Sequence, residues 1–311
     1  MSGYLDNSRR HDALSGGILR IPIDSPAGRF SVWTKRTGNN PDCQLLLLHG
    51  GPGATHEYFL GFDSYLPGAG VEYYYYDQLG SGWSDVPDDP SLWVVDRFVD
   101  EVEQVRIALG LEHFFLLGQS WGGVLAMEYA LAHGENLAGL VISNMMASIP
   151  AYNRYAEQVL IPGLDQAVVA AVRALPQDDP RQEELLMDEH YVKHVLRMPI
   201  ADWPEPVTRS FERTNKDIYI LMQGPSELGL SGTLADWDRF ADLAQVTVPT
   251  LVIGAEHDTM DPEHLRAMAR QLPRGTYLHC PNGSHLSMYD DQAVYMTGLL
   301  NWLGRHAGGR D

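Results

Sequence analysis

Cysteine is scarce in this chain: there are two, Cys43 and Cys280, among 311 residues. Two thiols build no disulfide framework, which sets aside the small secreted scaffolds held together by bridges. Both lie in or beside apolar runs and read as small buried hydrophobes. Positive charge is also short, with 22 Lys and Arg against 41 Asp and Glu and a formal net charge of −19. A polyanion is gripped through a basic footprint, so nucleic acid is excluded as a partner. No apolar run approaches the roughly 20 residues that span a bilayer. The opening residues MSGYLDNSRR also lack the charged-then-apolar layout of a signal peptide. A cytoplasmic protein without a membrane partner is therefore expected. Zinc-ligand spacing, a dinucleotide fingerprint and a phosphate-binding P-loop are all missing, so no cofactor and no metal is implied.

What is present is alternation. The runs Gln44–Leu48, 71–76, 114–117 and 140–143 are short, continuous, apolar and bounded by turn residues, and they read as buried strands. Between them Val95, Phe98, Val99, Val102, Val105 and Leu109 recur at helical spacing, with Asp96, Asp100, Glu101 and Glu103 opposite. A second helix is predicted over 124–132. Such strand–helix alternation predicts a mostly parallel sheet covered on both faces. It stops near Pro150. Helical patterns at 168–175, 183–196 and 207–222 follow, without a convincing strand. Alternation resumes with a strand at 248–254, a helix at 262–272, a strand at 276–280 and a helix at 289–303. The expected division is a core over 1–147, a helical cap over 148–232 and the rest of the core over 233–311. The ends, 1–12 and 305–311, are polar or Gly-rich and read as the loose parts.

The chemistry is concentrated at strand ends. Gly118-Gln119-Ser120-Trp121-Gly122 follows a predicted strand and opens a helix, the context in which G-x-S-x-G forms a nucleophile elbow. The turn is tight, and side chains two residues either side of the serine would collide where strand and helix converge. His49-Gly50-Gly51-Pro52-Gly53 follows the strand at Gln44–Leu48. Acyl transfer builds negative charge on a carbonyl oxygen, and two backbone N–H groups must already point at it. The amides of Gly51 and Trp121 are the expected oxyanion hole. A serine nucleophile requires a base, and the base an orienting acid, in the chain order Ser, Asp or Glu, His. Asp258, just beyond a strand, and His285, in Asn282-Gly283-Ser284-His285 after the next, are the expected partners. Glu256 and Asp261 are rival acids. Glu256 is nearer the strand, and Asp261 reads as the N-cap ahead of Pro262. His133, His190, His194 and His264 lie on predicted helices and read as surface or cap residues, and His257 as a loop residue. This constellation predicts an α/β-hydrolase fold with an inserted helical cap.

HGGPG at 49–53, YYDQLGSGWSD at 75–85, GQSWGG at 118–123 and GSH at 283–285 resemble the proline iminopeptidases, close to the tricorn-interacting aminopeptidase and the L-amino-acid amidases. The resemblance runs from about Leu45 to Leu303 and takes in the cap stretch Met222–Glu227 and the following 232–237. It implies Ser120 as nucleophile, Asp258 as orienting acid, His285 as general base, and cap carboxylates that hold a substrate α-ammonium, of which Glu227 matches one. The tricorn-interacting relatives carry a glutamate directly after the triad aspartate, where this chain has Thr259. The expected substrate is a small peptide or amino-acid amide with a proline or a small or hydrophobic N-terminal residue. Triad and Gly loop would serve a carboxylic ester or lactone equally. Trp203, Phe59 and Trp121 are expected to shape an apolar pocket at the mouth.

Overall fold

The apolar runs are too short for buried helices, and turn residues separate them, so they satisfy their backbone groups by pairing with each other. A computed structural model describes residues 3–176 and 179–307. Its strands are β1 (Ile18–Ser25), β2 (Gly28–Thr37), β3 (Gln44–Leu48), β4 (Glu72–Asp77), β5 (Phe114–Gln119), β6 (Leu137–Ser143), β7 (Thr250–Ala255) and β8 (Gly275–Cys280). They form a single sheet in the order β1-β2-β4-β3-β5-β6-β7-β8. From β4 to β8 every pairing is parallel, while β1–β2 and β2–β4 are antiparallel. Leu45 to Leu48 and all of β5 are buried, as strands covered on both faces must be.

Between the strands run α1 (Val95–Leu109) and α2 (Trp121–His133). α1 buries Phe98, Val102 and Val105 and ends on Gly110 in the left-handed region. After β6 come α3 (Ile149–Tyr155), α4 (Gln166–Arg173), α5 (Arg181–Leu186), a π-helical stretch Met187–Val195, α6 (Glu205–Glu212) and α7 (Lys216–Met222). No strand lies between β6 and β7 among the described residues. Ser148 and Asp238, on either side of this inserted helical stretch, form an isolated antiparallel bridge. α8 (Pro262–Gln271), α9 (Ser287–Asp290) and α10 (Gln292–His306) complete the chain. Among the described residues no helix is long and apolar enough to cross a membrane.

The fold departs from the sequence reading in three places. The hairpin β1–β2 carries no run as apolar as β3, and Pro22 within β1 argues against a strand. β1 is an edge strand, where a missing N–H is tolerated. The helix expected over 207–222 is two helices, because Asn215 caps α7 by accepting from the Ile218 amide at 3.4 Å. The N-terminal segment is tied down rather than loose. Tyr4 donates to the Val71 carbonyl at 2.7 Å, and Asp12 is buried in an ion pair with Arg36 at 2.6 Å. Of the ends expected to be loose, residues 1–2 and 308–311 lie outside the described residues.

Candidate active site

The elbow is built as its glycines require. Ser120 has φ 56° and ψ −129°, between the end of β5 and the first turn of α2. A Cβ on Gly118 would run into the Gly122 carbonyl, and one on Gly122 into the Leu48 carbonyl. Ser120 is one of two non-glycine residues with positive φ among those described, a strain held by the surrounding packing. Trp121 starts α2, so its amide belongs to the helix end whose donors have no intrahelical acceptor.

The 49–53 loop lies against the elbow. A Cβ on Gly50 would sit 2.9 Å from that of Ser120. Its position is fixed from outside. Tyr58 Oη accepts from the Gly50 amide at 2.7 Å and donates to Gln119 Oε1 at 2.8 Å. Gln78 donates its side-chain amide to the His49 carbonyl at 2.9 Å and accepts the Trp121 indole N–H at 2.9 Å. His49 accepts the Gln78 backbone amide on Nε2 at 3.1 Å. Burial lowers its pKa to about 4, so the ring is neutral and structural.

Asp258 and His285 meet. His285 Nδ1 lies 2.9 Å from Asp258 Oδ1, and both side chains are buried. Burial disfavours the charged imidazole, but the Asp258 carboxylate outweighs it, and the His285 pKa is raised above its ordinary value. Nε2, the opposite edge, is buried and has no hydrogen-bond partner. His285 and Ser120 line one cavity, and no hydrogen bond joins Ser120 to this nitrogen. Of the rival acids, Glu256 is exposed and 3.4 Å from His279, and Asp261 caps α8 through the Glu263 amide. Thr259 is buried beneath the pair, its hydroxyl 3.1 Å from His285 Nδ1 and 3.3 Å from Asp258 Oδ1.

The cavity is lined by Ser120 and Gly51 and, from the cap, by Glu227. Tyr219 donates to Glu227 Oε1 at 2.6 Å. Tyr152 and His190 hold its backbone carbonyl at 2.7 and 3.0 Å, and its amide donates to Tyr191 Oη at 3.1 Å. Burial pushes the Glu227 carboxyl above the usual carboxylate range, an effect the His285 ring partly offsets. Glu183 and Lys216, paired with each other, line the same space. Sequence reasoning missed both, since each sits on a helix among many other charges and only the cap's folding brings them together.

Two expectations are corrected here. Trp203, Phe59 and Trp121 do not line the cavity. Trp121 packs edge-on against Phe98 at 5.3 Å, Phe59 is fully buried against Tyr58 and Phe62, and Trp203 abuts Phe211 at 5.4 Å. The apolar wall is made instead by Tyr58, Tyr191, Val195, Phe211, Tyr219 and Leu286. His190 is no surface residue: it is fully buried against the Glu227 loop, with its pKa lowered by that burial to about 3. Among the described residues no group of three or more His, Cys, Asp or Glu is placed to hold a metal ion.

Comparison with known proteins agrees with this fold. A family described as the alpha/beta hydrolase fold matches residues 44–292. A proline iminopeptidase of Flavobacterium johnsoniae is 49% identical over 289 residues, covering 91% of this chain and 97% of that protein. The crystal structure of a proline iminopeptidase from Mycobacterium smegmatis superposes with a TM-score of 0.81 at 28% identity, over 93% of this chain and 100% of that one. The crystal structure of VinJ does so with a TM-score of 0.83 at 28% identity, over 92% and 98%. Strand order, inserted cap, elbow and sequence identity converge: this chain belongs to the proline iminopeptidase family of α/β-hydrolases.

Proposed function

We propose that this protein is a serine aminopeptidase that releases an N-terminal residue, proline or a small or hydrophobic one, from small peptides or amino-acid amides through an acyl-enzyme. One observation carries the reading. A single cavity is lined by Ser120, His285 and the Gly51 loop and also by a part-buried carboxylate, Glu227. The cavity is small, about 60 Å³.

In this mechanism Ser120 Oγ attacks the scissile carbonyl carbon while its proton passes to His285 Nε2. Asp258 holds Nδ1 and stabilises the imidazolium. The oxyanion is received by the Gly51 and Trp121 amides. The C–N bond breaks as His285 returns the proton to the leaving amine. Water, deprotonated by the same nitrogen, then attacks the acyl ester and releases the amino acid and Ser120. Glu227 pairs with the substrate ammonium and so distinguishes a free N-terminus from an internal amide. That charge is supplied from the cap, as Thr259 beside Asp258 carries none.

Residues 148–232 form the cap domain in this reading, with 1–147 and 233–311 as the core. The bridge between Ser148 and Asp238, which pairs the chain near the two proposed boundaries, supports this division. A cytoplasmic setting is part of the same reading, supported by two free, buried cysteines. The test is hydrolysis of prolyl-arylamide beside its N-acetylated form and a simple carboxylic ester. The expected result is strong preference for the free amine. Equal rates on both arylamides, with faster ester cleavage, would replace the aminopeptidase by an esterase.

A further inference from the structure

Two non-glycine residues among those described have a positive φ. One is Ser120; the other is Asn144, at φ 52°. It follows β6 directly, is fully buried and lines no part of the cavity. Asparagine tolerates the left-handed region better than most residues, but a fully buried amide also demands partners. Asn144 has all four that its side chain can use. Nδ2 donates to Asp258 Oδ2 at 2.7 Å and to the Ser284 carbonyl at 3.2 Å. Oδ1 accepts from Ser143 at 2.8 Å and from Ser287 at 3.0 Å. Its backbone amide donates to the Ile253 carbonyl in β7 at 2.9 Å.

These bonds join three segments distant in sequence: the end of β6, the loop bearing Asp258 and the loop bearing His285. We infer that Asn144 is a positioning residue of the catalytic machinery, occupying Asp258 Oδ2 so that Oδ1 meets His285, and locking both loops to the sheet. The inference rests on the reading of Ser120, Asp258 and His285 as the triad. The unusual backbone explains why the amide can reach Asp258 from a residue that leaves the strand. Without it, one oxygen of a fully buried carboxylate has no donor, and the carboxylate is free to turn from the imidazole.

The test is Asn144→Gly beside Asn144→Ala. Both delete the amide, and glycine relieves the backbone while alanine strains it. With a charge-assisted hydrogen bond lost, kcat should fall about 10- to 100-fold in both, with KM little changed. Labelling of Ser120 by a fluorophosphonate should slow in step. The charges facing His285 are Asp258, Glu227 and Asp290. Since Asn144 acts on the first of these, the acid limb of kcat/KM should also move. Wild-type kcat in Asn144→Gly would overturn the inference. So would a loss of kcat that tracks melting temperature and leaves the acid limb in place. A wild-type protein that takes no label would instead remove the triad reading itself.

Discussion

Replacing Glu227 by glutamine removes one charge and almost no volume. The variant retains an acceptor for the Tyr219 hydroxyl, which lies 2.6 Å from Oε1 in the parent, and the backbone bonds to Tyr152, Tyr191 and His190 are untouched. What is lost is the anion opposite a substrate ammonium. A hydrogen bond to a charged group contributes about 1.5–3 kcal/mol. At about 1.36 kcal/mol per decade, that is roughly a 10- to 150-fold change. A simple Coulomb figure of about 4 kcal/mol, for charges 4 Å apart at an effective dielectric of 20, sits above this range and bounds it. The assay is kcat/KM on prolyl-arylamide divided by that on its N-acetyl form. The ratio should fall by one to two orders of magnitude in Glu227→Gln, with the acetylated substrate nearly unaffected. pH gives an independent check. Burial raises the Glu227 pKa, and a protonated carboxyl cannot balance an ammonium, so KM for the free amine should improve as pH rises through that elevated value. The acetylated substrate should show no such limb. An unchanged ratio in the variant would refute the assignment of the cap carboxylate.

Two further outcomes follow from the same structure. His285 accepts the serine proton only when neutral, and its pKa is raised by Asp258 against the effect of burial, so the acid limb of kcat/KM should lie above the ordinary imidazole value of about 6.5. A pH profile on an amide substrate measures it. Far from the site, Asp12→Asn breaks an ion pair in which both side chains are 3% exposed, leaving Arg36 charged and buried, and should lower stability by about 3–5 kcal/mol in urea denaturation. The Asp12 carboxyl is held below the usual range: burial works against this, but Arg36 prevails. Its contribution is therefore present above the unfolded value, near pH 4, and is lost as pH falls through the depressed one.

The reaction end of the site was legible in the sequence because it is written locally. Gly118, Ser120 and Gly122 lie within one strand–turn–helix, and their sterics are a matter of five residues. Asp258 and His285 each follow a strand, and a parallel sheet brings such ends to one rim whatever lies between. The hairpin β1–β2 was not legible, because Pro22 conflicts with a strand until the strand is known to be an edge. Nor was Asn144, whose role depends on an unusual φ and on two loops more than 110 residues away in the chain. Trp203, Phe59 and Trp121 misled because large aromatics are as often core as pocket, and composition does not tell the two apart. The actual wall, with Tyr191, Phe211 and Tyr219, comes from helices whose mutual packing no periodicity encodes.

This asymmetry has a functional side. The core supplies what any acyl transfer requires, and those groups are fixed to the sheet by short-range geometry. In the proposed reading selection of the substrate falls to Glu227, whose loop is gripped by Tyr152 of α3, by His190 and Tyr191 of the π-helical stretch and by Tyr219 of α7. Three separate cap elements thus determine where one carboxylate stands. The same stretch also meets the triad loop, since the His285 and Leu286 amides donate to the His194 and Val195 carbonyls, each at 2.9 Å. Cap and proposed catalytic base are therefore mechanically joined. A substitution that loosens the π-helical stretch should disturb amine recognition and the His285 position at once.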